Sequence, residues 1–178
     1  PGRFQDAAGA RRCKACPLGF IQTDDEQSSC FECGPGEYIN VTGAQQCITC
    51  DAMTYNDDKG RNSTCINCPI GWLSNKGSTQ CQICRAGTFG DPLKKCKDCP
   101  AGYARATTNF DATRCVQCVL GETSKSGASE CTRCDLGRYG SSKGYCSRCP
   151  LSMITDARGE TKCRACQPGK ISNNASNG

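Results

Sequence analysis

The sequence predicts an elongated rod of small disulfide-rich repeats, made of short β-hairpins and loops with almost no helix and no single core. Three observations carry this. Cysteine makes up 20 of 178 residues, a density reserved for disulfide or metal scaffolds. Leu, Ile, Val and Phe together number only 22, too few for a shared apolar interior. All 20 cysteines fall into ten Cys-x-x-Cys pairs whose separating loops hold 11 to 15 residues, so the chain is an internal repeat.

In chain order the pairs are 13/16, 30/33, 47/50, 65/68, 81/84, 96/99, 115/118, 131/134, 146/149 and 163/166. Eight have Gly three residues on, and an aromatic follows in many units: Phe4, Phe20, Tyr38, Tyr55, Trp72, Phe89, Tyr103 and Tyr139. The ring is expected to be each repeat's own small core. A second Gly, as in Gly43-Ala-Gln-Gln-Cys47 and Gly127-Ala-Ser-Glu-Cys131, marks a turn. Each unit thus reads as a hairpin with strands of two to four residues around segments such as Phe20-Ile21-Gln22 and Tyr38-Ile39-Asn40. The repeats are placed at 13–29, 30–46, 47–64, 65–80, 81–95, 96–114, 115–130, 131–145 and 146–162, with truncated repeats at 1–12 and 163–178. The opening Pro1-Gly2-Arg3-Phe4 matches Pro35-Gly36-Glu37-Tyr38, and the chain is expected to come from the middle of a longer array. Pro follows pairs one, four, six and nine, which points to a duplication of five units.

Composition excludes much. With no His, the chain lacks the commonest general base and metal ligand, so it is not expected to be an enzyme or to carry a cofactor. The acidic clusters Asp24-Asp25-Glu26 and Asp57-Asp58 match no EF-hand pattern and read as solvated loop residues. The net charge of +5 is scattered, with short runs only at Arg11-Arg12 and at Lys94, Lys95 and Lys97. Nucleic-acid or heparin grooves need concentrated charge with stacking aromatics, so no nucleic-acid partner is expected. No apolar stretch is long enough to span a membrane.

The cysteines admit two chemistries. Cys13-x2-Cys16-x13-Cys30-x2-Cys33 has the spacing of a four-thiolate zinc site. Against zinc, Gly34-Pro35-Gly36-Glu37 cannot open a basic recognition helix, and ten pairs would demand five ions. A redox Cys-x-x-Cys needs a helix start that no periodicity here supplies. Three acceptors for N-linked glycans, Asn40-Val-Thr, Asn62-Ser-Thr and Asn174-Ala-Ser, add to the case for disulfides and an extracellular or cell-surface location.

Through Cys-x-x-Cys-Pro-x-Gly-aromatic at Cys13 to Phe20, Cys65 to Trp72 and Cys96 to Tyr103, the sequence resembles the ephrin-receptor-like cysteine-rich repeats. It is more loosely similar to EGF-like and tumour-necrosis-factor-receptor modules. The resemblance implies one disulfide across each loop: Cys16–Cys30, Cys33–Cys47, Cys50–Cys65, Cys68–Cys81, Cys84–Cys96, Cys99–Cys115, Cys118–Cys131, Cys134–Cys146 and Cys149–Cys163. Cys13 and Cys166 would then pair outside the fragment. An interlaced scheme, Cys13 with Cys30 and Cys16 with Cys33, stays open, because spacing does not fix connectivity. Met53 and Ser152 replace the Gly, and units seven, nine and ten lack the aromatic, so those units are expected to be less regular.

One disulfide on such a loop contributes only about 3 kcal/mol, so each repeat must stack on its neighbours and is expected to touch only them. The function expected is structural: part of a longer cell-surface or filament-forming glycoprotein, a fibre, stalk or appendage similar to arrays found in protists. Its partners would be other subunits or copies of itself. The alternative is a ligand-binding receptor ectodomain segment with Trp72, Leu73, Phe31 and Phe110 as candidate anchors. The simpler expectation for these four is packing against adjacent repeats.

Overall fold

A computed structural model describes residues 1–7, 12–91 and 95–168. Twenty short strands pair in sequence order into ten antiparallel two-stranded hairpins, and no helix occurs among the described residues. Two compact units, Pro1–Ile83 and Cys84–Gly178, hold five hairpins each. In the first unit the pairs are β1 (Arg3–Phe4) with β2 (Lys14–Ala15), β3 (Phe20–Ile21) with β4 (Phe31–Glu32), and β5 (Glu37–Tyr38) with β6 (Ile48–Thr49). They continue with β7 (Thr54–Tyr55) and β8 (Ile66–Asn67), then β9 (Trp72–Leu73) and β10 (Gln82–Ile83). The second unit pairs β11 (Thr88–Gly90) with β12 (Cys96–Asp98), β13 (Tyr103–Ala104) with β14 (Val116–Gln117), and β15 (Glu122–Thr123) with β16 (Thr132–Arg133). It ends on β17 (Arg138–Ser142) with β18 (Tyr145–Arg148) and β19 (Met153–Ile154) with β20 (Arg164–Ala165).

The register is the same throughout: the residues after the turn Gly pair with the residues between the next two cysteines, as in Phe20 with Glu32 and Ile21 with Phe31. Nine disulfides close the loops of hairpins two to ten, from Cys16–Cys30 to Cys149–Cys163. Cys13, exposed, and Cys166, half-buried, are not disulfide-bonded.

Three expectations need correction. The aromatics are not the core: Phe20, Tyr38, Tyr55 and Trp72 are all half-buried. The second cysteine of each pair takes that place, 6% exposed or less from Cys16 to Cys149. Loss of the ring also does not disorder units seven and nine, whereas the ring position of unit ten lies outside the described residues. Glu122–Thr123 and Met153–Ile154 form the usual two-residue pairs, and the irregular hairpin is the Tyr139 one, bulged between Gly140 and Ser142. The disulfide and backbone bonds, not the side-chain ring, set the register. Finally, contacts reach beyond the adjacent repeat. Gly36 in the third hairpin sits at φ +81° against Gly77 in the fifth, so close that an added Cβ would lie 2.9 Å from the Gly77 carbonyl carbon. Gly19 meets Gly60 and Gly87 meets Gly127 in the same way.

Candidate functional site

The recurring chemistry of this chain lies at the joints between hairpins. At five of these joints the peptide of the buried second cysteine is used on both sides. Cys33 donates its N–H to Gly19 O at 2.9 Å, and its carbonyl accepts from Gly60 N at 2.8 Å. Cys16, Cys50, Cys99 and Cys134 repeat this two-sided bonding with the glycines around them. The turn glycine N–H then bonds forward to the next hairpin, as in Gly36 N to Asn56 O at 2.7 Å. Buried backbone polar groups are thereby satisfied without a regular sheet.

A second set of staples comes from side chains just after the aromatic position. Asn56 donates from Nδ2 to Glu37 O at 2.7 Å, Ser74 from Oγ to Thr54 O at 2.8 Å and Ser124 from Oγ to Tyr103 O at 2.8 Å. Thr155 accepts from Gly137 N on its Oγ1 at 2.8 Å. At the same place in the seventh hairpin stands Arg105, 1% exposed. Its guanidinium donates to the carbonyls of Thr88, Cys84, Arg85 and Asn109, two hairpins held by one buried cation. Sequence reasoning missed these residues. The available signal was a position rich in hydrogen-bonding side chains (Gln22, Asn56, Ser74, Arg105, Ser124, Thr155) immediately after an apolar strand.

The exposed ion pairs pin strand ends. The Arg164 guanidinium, hydrogen-bonded to Asp156, holds that carboxyl below the ordinary carboxylate range, and Asp156 in turn raises Arg164. Asp6 is lowered by its hydrogen bond from Lys14, and Asp111 by those from the Thr113 side chain and backbone.

The residues singled out from sequence do not converge. Asp24, Asp25, Glu26, Asp57 and Asp58 are all exposed, Asp58 lying 4.0 Å from Arg61. Among the described residues no group of three or more His, Cys, Asp or Glu is placed to hold a metal ion. Lys97 pairs with Asp91 at 2.8 Å; Arg11 and Lys94 lie outside the described residues. Asn40 and Asn62 are exposed, while Asn174 lies outside the described residues. Trp72 and Leu73 are half-buried on their strand, but Phe31 and Phe110 do not pack away: they are 56% and 76% exposed. No helix among the described residues is long and apolar enough to cross a membrane.

Comparison with known proteins gives a family match over part of the chain. A search of the curated proteins finds no match. The family model described as tyrosine-protein kinase ephrin type A/B receptor-like matches residues 2–46 and again residues 36–73. Residues 2–73 are thus ephrin-receptor-like cysteine-rich repeats, and the hairpins that follow carry the same loop-closing disulfides and register through Cys163.

Proposed function

We propose that the chain is a structural segment of an extracellular array, part of a longer cell-surface or filament-forming glycoprotein such as a fibre, stalk or adhesive appendage. The observation that supports this most is the recurrent joint: at Cys16, Cys33 and Cys50 in the first unit and at Cys99 and Cys134 in the second, the buried second cysteine is bonded on both sides to glycines of the hairpins around it. A chain whose recurrent chemistry lies in its joints is organised to connect and space, and no residue is assigned a catalytic role. Oxidised cysteines belong to an oxidising compartment. The exposed Asn40 and Asn62, with Asn174, are proposed glycan sites, and Cys13 and Cys166 are proposed to pair with cysteines of flanking repeats.

Peptide mapping of the native, non-reduced protein, with and without glycan removal by an N-glycosidase, tests the compartment. Oxidised thiols and glycan-bearing Asn40 or Asn62 are expected; a protein recovered with free thiols and no glycan would refute it. Sedimentation over a range of concentrations tests self-association, and a monomer at the highest concentration would remove the filament.

A second reading is a receptor ectodomain segment that binds a protein ligand, favoured by the exposure of Phe31 and Phe110. Exposed aromatics are typical interface anchors. If Phe31→Ser and Phe110→Ser abolish sedimentation-detected assembly, those rings serve the filament; unchanged assembly favours the receptor.

A further inference from the structure

Arg133, Arg138 and Arg148 are spread along the sequence, but the fold collects them. Arg138 on β17 and Arg148 on β18 are direct cross-strand partners. Two like charges so placed destabilise a hairpin unless something neutralises them. Arg133 and Arg138 line a cavity of about 710 Å³ together with Arg158, Asp135 and Tyr145, whose ring is 54% exposed. The stem of Arg133 is held in place by Gly159, where an added Cβ would come within 3.2 Å of Arg133 Cδ.

Among the described residues these three arginines also lack a carboxylate partner, as do Arg3 and Arg12 in the first unit, but they alone are brought together by the fold. Arg61, Arg85, Arg114, Arg158 and Arg164 each form an ion pair with an aspartate, and Arg105 is occupied by carbonyls. Among the described residues Arg133, Arg138 and Arg148 form none. Glu122 stands opposite Arg133 in the register but makes no ion pair with it, and Asp135 is engaged by Arg158 at 3.5 Å.

We propose that this cavity binds an anionic glycan, whose sulfate or carboxylate groups occupy the guanidinium forks of Arg133 and Arg138 in its lining, with Arg148 adding its charge as the cross-strand partner of Arg138. Guanidinium forks match such oxyanions in a bidentate manner, and the Tyr145 ring offers a flat apolar face to a sugar. The choice of glycan over nucleic acid rests on the extracellular reading and on geometry: single-stranded nucleic acids are held by successive stacking rings, and here one ring lines the cavity.

The test is fluorescence anisotropy of a labelled heparin octasaccharide with the folded, oxidised chain. A variant carrying R133Q, R138Q and R148Q is compared with one carrying R12Q, K59Q and K76Q, which loses the same charge elsewhere. The first should weaken binding about tenfold or more and the second less than about twofold. R138K, which keeps the charge and the hairpin but loses the fork, should cost about threefold and guards against a folding artefact in the triple variant. Equal losses in the two triple variants would overturn the site as mere net charge. Absence of octasaccharide binding would overturn the site while leaving the extracellular reading standing. Tighter binding of a charge-matched oligothymidylate would overturn both.

Discussion

Replacing Gly36 by Ala tests whether the glycine contacts between next-but-one hairpins hold the fold. Gly36 has φ +81°, where an L-residue costs about 1–2 kcal/mol. The new Cβ would be driven into the backbone of Gly77, which cannot rotate away as a side chain could, at an overpacking cost of about 1–3 kcal/mol. Stiffening of the unfolded chain returns about 0.4–1 kcal/mol, so the net loss should be about 1–4.5 kcal/mol. An internal control lies two residues away. Gly34 lacks a left-handed φ, and an added Cβ meets nothing within 4 Å, so Gly34→Ala should stay within about 0.5 kcal/mol of the parent. Guanidinium unfolding with disulfides intact, followed by Trp72 fluorescence, reads both, because Trp72 and Gly77 share the fifth hairpin's loop. A Gly36→Ala protein as stable as Gly34→Ala would show that the close approach contributes nothing.

Three further outcomes are expected. Met53 adopts φ +71° where most units carry Gly, so Met53→Gly should relieve strain and stabilise by up to about 1 kcal/mol in the same assay; destabilisation would mean that the side chain, not the backbone, matters there. Arg105→Ala leaves buried carbonyls of two hairpins without their donor and should cost at least about 2–3 kcal/mol, seen as faster hydrogen exchange at the Gly87 and Gly90 amides; unchanged exchange would refute the staple. Because the Asp156 carboxyl is lowered in the folded state by Arg164, its contribution is present above the ordinary aspartate pKa and is lost as pH falls through the folded value. A carbon-detected titration of Asp156 should therefore show it ionising below an unfolded aspartate, and Arg164→Ala should move it back up. Titration at the ordinary value in the parent chain would refute the pairing.

Much of the architecture was legible because cysteine spacing and turn glycines act locally. The pattern Cys-x-x-Cys-Pro-Leu-Gly-Phe fixes where a hairpin starts, and the strands at Phe20 and Phe31 follow from it. Connectivity was not legible from spacing, since the interlaced scheme uses the same loops; the pairing came from family resemblance. The role of the rings was misread because apolar character was taken to mean interior, whereas with so few apolar residues the disulfide sulfurs occupy the centre. The staples escaped because Asn56, Ser74, Arg105 and Ser124 share no side-chain type, only the ability to donate a hydrogen bond, a place in the register and a carbonyl to reach. The glycine contacts escaped because they link residues two hairpins apart, and no local pattern reports such a distance.

The loop-closing disulfides also decide how tension travels through the chain. A pull applied along it passes from Cys16 across the sulfur bridge to Cys30, through Phe31 and Glu32 to Cys33, and across the next bridge to Cys47. The loops lie outside this path. They cannot be drawn out, and a protease that cuts one leaves both halves covalently joined. Only the short Cys-x-x-Cys segments carry the force, and those are already paired as strands. Outside their contact glycines, exposed loops can therefore change sequence, carry a glycan or be nicked while the covalent path along the chain stays intact.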